Sequence, residues 1–383
     1  MSRQTKIFLA LCAGSALLLG AYLYQVKQRG VTNAQAELPP PDVAPSVPAQ
    51  SLPADSAPPA AAAAPTAPPQ DRTETPPAKP RPAASRVFFR YTGVDSHYGK
   101  VAWTDSAHAR QAHFVETLNC EVVYAAGGRG ICLTADRGVF TTYSASLFDA
   151  RTFEVSSTFP LKGIPSRARV SIDGSLAAFT VFVSGHGYTT LDFSTQSLLV
   201  DTRTGAALAD LEDFEVRHDG AVIKEADFNF WGVTFTPDAK QFFATLSTAG
   251  KHFLVRGDID ARRMEIIHEN VECPSLSPDA RHVAYKKRLM EGNRIVWQLQ
   301  VLELASGREV ALSERRSIDD QLEWLDDGHV LYSVPSAADD SSPSTNVWIA
   351  PIDASSAPRL FLKNAYSPAA VRCKDPGACA APG

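Results

Sequence analysis

Residues that could carry chemistry occur in this chain as fragments of known sets. His268-Glu269 begins like a helical zinc motif, but Val271-Glu272 follow where the second histidine belongs. Asp258-Ile259-Asp260 alternates carboxylates like a calcium loop, without the loop's glycine and closing glutamate. His186 stands between Gly185 and Gly187, the setting of a turn residue. No nucleophile elbow, P-loop or dinucleotide fingerprint is present. The sequence therefore implies no catalytic set, no metal and no cofactor, and a non-enzymatic protein is expected.

The six cysteines, Cys12, Cys120, Cys132, Cys273, Cys373 and Cys379, form no CxxC pair and have no zinc-type spacing with histidine. Cys120 with Cys132, and Cys373 with Cys379, are near enough in sequence to bridge. Buried free thiols are the alternative. Cys273 precedes Pro274 at a strand start, where packing is its expected role.

Net charge is −5, and residues 86–383 carry 30 basic and 37 acidic groups. A mildly acidic domain without a basic stripe lacks the phosphate-neutralising surface that supplies most nucleic-acid affinity. Its longest basic run, Lys286-Lys287-Arg288, reads as a solvated strand end.

The elements that would position these groups follow from where proline falls. Fifteen of 27 prolines lie between Pro39 and Pro82. Such a stretch cannot bury enough apolar surface to offset its ordering entropy. It reads as an extended linker over 25–85. Before it, Ile7 to Tyr24 is uncharged and long enough to span a bilayer core. Residues 1–6 are then a cytoplasmic end and 7–24 a signal anchor, with the bulk of the chain in the periplasm. Cleavage after Ala34-Gln35-Ala36 and release to the periplasm is the alternative. Residues 86–373 remain for a folded domain, followed by a disordered tail over 374–383.

That domain shows short runs of Val, Phe, Tyr, Thr and Ile split by Gly, Asp, Ser and Pro, an all-β pattern. One landmark recurs as RVSIDGSLAAF, TFTPDAKQFFA, SLSPDARHVAY and EWLDDGHVLY, with VYAAGGRGICL as a degenerate copy. Each is strand, tight turn, strand. The turn positions Gly127, Asp173, Asp238, Asp279 and Asp326 are separated by steps of 46, 65, 41 and 47 residues. A second landmark alternates with it: SLFDARTFEV, LLVDTRTGAAL, GDIDARRMEI, VLELASGREV and WIAPIDASSAPRL. Five units of four antiparallel strands are the signature of a β-propeller. A sixth blade is expected from VFFRY, KVAWT and QAHFV within 87–118, closed by SPAAV within 364–372. Two separate sandwiches are the alternative architecture.

The S-x-D-G/A-x-x-x-A-F/Y landmark resembles the repeat of the TolB-like propeller family. PSRARVSIDGSLAAFTVFVSGHGY, DFNFWGVTFTPDAKQFFATL and ENVECPSLSPDARHVAYKKR look like a bacterial group of that family without an established activity. The resemblance covers about 120–372. It implies a six-bladed ring in the periplasm that works through protein contacts. The α/β domain that precedes the ring in TolB has no counterpart here, where the anchor and linker stand.

In such a ring, loops entering each first strand share one end with loops joining second to third strands. They bring Arg167, Arg169, His186, Tyr188, Asp227, Trp231, Glu272, Lys286, Asp319 and Asp320 to one face, with Asp339-Asp340 beside them. Mixed charge with Trp and Tyr suits an envelope protein or peptide as partner. Phe230 and Trp231 alternate in direction, so one of them belongs to blade packing. Arg167 could instead pair with Glu272, Asp319 or Asp320. The ring itself is expected to be monomeric. A lyase or hydrolase of a saccharide or small ester, acting in the channel through His186 and the acidic loops, is the second functional reading.

Overall fold

The structure is a computed structural model. It describes residues 86–107, 109, 111–183, 194–336 and 344–372. The expected anchor, linker and tail lie outside these residues, as do Cys12, His186, Tyr188, Asp339, Asp340, Cys373 and Cys379. Among the described residues no helix is long and apolar enough to cross a membrane.

Six sheets, each built on four antiparallel strands, form the six blades of a propeller. Blade one is shared by the two ends of the domain, in the order Ala365–Val371, Arg86–Tyr91, Lys100–Asp105, His113–Asn119. Blade two begins at Val122–Ala126, blade three at Ile164–Val170, blade four at Asn229–Phe235, blade five at Glu272–Leu276 and blade six at Glu323–Asp326. These inner strands stand side by side around the axis. Arg86 pairs with Val371 and Tyr91 with Ala365. Closure of this kind removes the open edges that a broken ring would present.

Five blades have the expected four strands, and blade four has six. An insertion between blades three and four forms a hairpin, Glu215–His218 with Ala221–Ile223. Its first strand adds in parallel to the outer edge of Arg263–Glu269. The step of 65 residues, against 41 to 47 elsewhere, is the trace of this insertion.

The core lies between blades. Six apolar clusters each join one pair of neighbours. Strand alternation explains the arrangement. In Arg86–Tyr91, Val87 and Phe89 pack toward blade six with Leu331 and Ile349. Phe88, pointing the other way, packs on Val123 and Phe148 of blade two. Both faces of each sheet are thus covered, so the runs read as continuous apolar segments. Cys120 and Cys132 are bonded to each other. The bridge ties the loop entering blade two to that blade's second strand, and closing a loop of this size stabilises by about 3 kcal/mol.

The repeated landmark is one turn with one geometry. Ser171 donates to Asp173 at 2.5 Å, Thr236 to Asp238 at 2.7 Å and Ser277 to Asp279 at 2.5 Å. In each, the residue after the aspartate has positive φ: Gly174, Ala239 and Ala280. These turns lie at one end of the ring. Arg86 and Arg372, where the described domain begins and ends, lie there too, since Arg86 pairs with Val371. The opposite end, where the inner strands begin, holds the mouth.

Candidate functional site at the channel mouth

The inner-strand starts, with the mouth-side ends of the second and third strands, carry the side chains that meet at the mouth. A cavity of about 740 Å³ is lined there by Arg167, Trp231, Glu272, Cys273, Lys286 and Asp319. Glu121, Phe182, Trp297 and Tyr366 complete much of its wall. Five residues expected on this face therefore converge on one space.

Bulges aim them. The inner strand of blade three shifts register between Pro165 and Arg167, and that of blade four between Trp231 and Thr234. Blade five shifts between Glu272 and Ser275, and blade one opposite Phe88 and Arg90. Gly232, Cys273 and Ser367 take positive φ at these points. A bulge rotates the following side chain out of the regular alternation. Phe230 and Trp231 precede their bulge and pair regularly, so simple alternation keeps Phe230 in the blade core while Trp231 faces the mouth.

The charges on the wall are largely paired. Lys286 Nζ lies 3.5 Å from Glu272 Oε2 and also bonds Asp319. It sits 4.8 Å above the Trp297 ring, whose Nε1 donates to Glu272 at 3.2 Å. Burial works against the Lys286 charge, but Cys273, Asp319 and Glu272, all acidic groups, raise its pKa above the ordinary value. Behind Trp231, His252 lies 5.6 Å away edge-on and 3.9 Å from Glu272. Burial lowers the His252 pKa, Arg288 and Lys286 add to this, and Glu272 opposes it. Glu121 is held by Arg90 at 3.5 Å and Arg137 at 2.5 Å.

Arg167 differs. Its Nη1 donates to the Ser166 carbonyl at 3.0 Å, and its Nε is buried without a hydrogen-bond partner. Among the described residues no carboxylate lies within ion-pair distance of it. Burial disfavours its charge, yet Cys273, Tyr366, Asp320 and Asp319 keep its pKa above the ordinary value. The cross-channel ion pair that the sequence allowed is not formed, because Glu272 and Asp319 turn to Lys286.

Three further residues assigned to this face do not line this cavity. Asp320 is buried and accepts from the backbone N–H of Gln321 at 2.9 Å and Ser333 at 2.8 Å. Asp227 caps the turn joining the second and third strands of blade four, at the mouth end, accepting from Thr248 Oγ1 at 2.6 Å and the Ala249 N–H at 2.7 Å. Arg169 is one turn of the alternation deeper than Arg167 and is paired with Glu323 below the cavity. His186 and Tyr188, and with them the histidine of the enzymatic reading, fall outside the described residues. Trp297, Tyr366 and Glu121 were not anticipated. Tyr366 stands just before the segment read as the closing strand, and its position after Ala365 was the available signal. Trp297 reaches the mouth from a third strand, and nothing in its local pattern marks it.

Neither a family model nor a curated relative matches the sequence. Among solved structures, TolB from Acinetobacter baumannii aligns with a TM-score of 0.51 at 15% identity, over 75% of this chain and 67% of that one. A putative TolB from Agrobacterium tumefaciens aligns at 0.44 and 12% identity, over 73% and 89%. A chain of a nidogen/laminin complex aligns at 0.49 and 11%, over 74% and 97%. The fold is that of a TolB-like six-bladed β-propeller.

Proposed function

We propose that this protein is a membrane-tethered, non-enzymatic propeller that binds a protein or peptide partner in the cell envelope through its mouth face. One observation carries the reading. Twelve large apolar side chains are exposed among the described residues, and eight belong to the mouth end: Val94, Tyr98, Val139, Phe140, Ile164, Phe182, Met290 and Ile295. Val139 and Phe140 are 95% and 83% exposed at a hairpin tip. An apolar rim around a polar, aromatic-lined cavity is the anatomy of a protein-binding surface. Arg86, where the described domain begins, lies at the opposite end of the ring.

The reading is tested by photo-crosslinking in intact cells from two positions, Phe140 at the mouth and Val155 at the far end. Discrete adducts from Phe140, absent from Val155 and lost in a Trp231→Ala/Arg167→Met double variant, are expected. Adducts that are identical from both positions, or that survive the double variant, would sink the assignment of the face.

A further inference from the structure

The mouth cavity contains a cation, Arg167, that no carboxylate of the described residues meets at ion-pair distance. A guanidinium has five N–H donors in a planar fork. That of Arg167 gives one hydrogen bond to a described acceptor, a backbone carbonyl. The carboxylates around it are engaged otherwise. Glu272 and Asp319 flank Lys286, and Asp320 receives two backbone N–H groups. Arg167 is half-buried with its Nε enclosed, and a charge so placed is costly unless it is paired.

The surroundings indicate what pairs with it. Trp231, Trp297 and Tyr366 wall the cavity, and Lys286 of blade five lines it with its own two carboxylates. A second cation is excluded by charge, whereas a planar carboxylate matches the guanidinium fork and would be partly desolvated by the rings. The rim gives the rest. Val139 and Phe140 belong to blade two, and Met290 and Ile295 to blade five. Blades two and five stand on opposite sides of a six-membered ring. A chain segment that touches both rims crosses directly over the cavity, with one side chain pointing down into it.

Resting on the reading of the mouth as a peptide-binding face, we propose that its ligand is an internal, apolar-flanked peptide segment whose central Asp or Glu carboxylate is bound by Arg167. The apolar flanks lie on the rims of blades two and five. The acidic side chain descends between Trp231 and Tyr366. Glu272 and Asp319, already paired with Lys286, help to set register by repelling a second acid nearby.

The experiment is a selection on the full chain from a displayed library of nine-residue random segments, held at both ends so that no terminus is free. Wild type is expected to enrich Asp or Glu at one central position between apolar residues. An end-blocked peptide taken from that pool should lose about tenfold in affinity when its acid becomes the amide. Arg167→Met should bind the acid and amide peptides alike, and Arg167→Lys should recover part of the difference. Thermal unfolding of both variants checks that the ring is intact. A pool without acid enrichment, or an Arg167→Met variant that still prefers the acid, overturns the carboxylate assignment. The mouth reading survives that result if Trp231→Ala still abolishes binding, and falls with it if Trp231→Ala binds as wild type. Enrichment only from a parallel library with free C-termini, full competition by N-acetylglutamate amide alone, or no enrichment from either library also overturns the proposal.

Discussion

Glu314 shows how one side chain can make the ring sensitive to acid. Its carboxylate accepts from Tyr332 Oη at 2.6 Å and from Arg316 Nη2 at 2.6 Å and Nε at 2.9 Å. Burial pushes its pKa up, but the bonds from Arg316 and Tyr332 prevail and hold it down at about 2. A carboxyl group depressed in the folded state binds fewer protons there than in the unfolded chain. Its stabilisation is therefore complete above the ordinary carboxylate range and fades as pH falls from about 4.5 toward about 2. Glu314→Gln should cost on the order of 1 kcal/mol at pH 7, a figure reduced for the solvent that reaches Arg316. Urea unfolding at pH 7 and at pH 3 measures it. The gap between variant and wild type must narrow at the lower pH, and a constant gap would show that packing, not charge, is what Gln disturbs. Pairings of this kind were hidden in the sequence. Glu314 and Tyr332 belong to different segments, and only the ring brings them together. The same limit hid the fate of Arg167, whose possible partners could be named while their choice of Lys286 could not.

Elements were far easier to read. The Ser/Thr-x-Asp turn signals its own geometry, because hydroxyl, aspartate and positive-φ residue are local and repeat at a fixed offset. Counting those turns located the inner strands, and the strand starts together with the loops joining second to third strands brought Arg167, Trp231, Glu272, Lys286 and Asp319 to one end. The insertion in blade four left a trace in spacing but not in pattern, since Glu215–His218 and Ala221–Ile223 are too short to mark themselves. The bulges were not legible, because each exists only against its paired strand. The turns also touch across blades, which gives a test. A Cβ on Gly127, at φ +56, would lie 2.2 Å from the Gly174 nitrogen, while one on Gly128, at φ +78, would meet nothing within 4 Å. Gly128→Ala should therefore cost about 1 kcal/mol, for the left-handed backbone alone. Gly127→Ala should cost that and roughly 1–3 kcal/mol more, because backbone of the next blade must move. Chemical denaturation of the two variants side by side separates the terms. Equal losses would mean that the contact between turns of blades two and three yields freely.

At the scale of the ring, closure has two parts. The first is the pairing of Arg86–Tyr91 with Ala365–Val371, which joins chain segments some 280 residues apart. The second lies on the axis, below the mouth cavity. Arg169 and Glu323, each nearly inaccessible, form an ion pair there. Arg169 also donates to the Leu322 carbonyl at 2.5 Å and to Ser275 Oγ at 3.0 Å, and stacks 4.6 Å from Tyr124. Glu323 accepts from Tyr124 Oη at 3.1 Å and from the Ala370 N–H at 3.0 Å. These residues come from blades one, two, three, five and six. A buried pair is a poor source of net stability, since desolvation offsets much of the attraction. Removing one member is different, because the other is left buried and uncompensated. Glu323→Gln keeps the shape, retains an acceptor for Tyr124 or Ala370, and strands the Arg169 charge. It should destabilise the domain by about 3–5 kcal/mol, whereas Arg169→Met with Glu323→Gln together should lose clearly less than the single change. Equilibrium urea unfolding of the two variants and wild type gives the comparison. A double variant at least as unstable as the single one would mean that the charge pair itself, rather than the avoidance of an unpaired arginine, holds five blades to the axis.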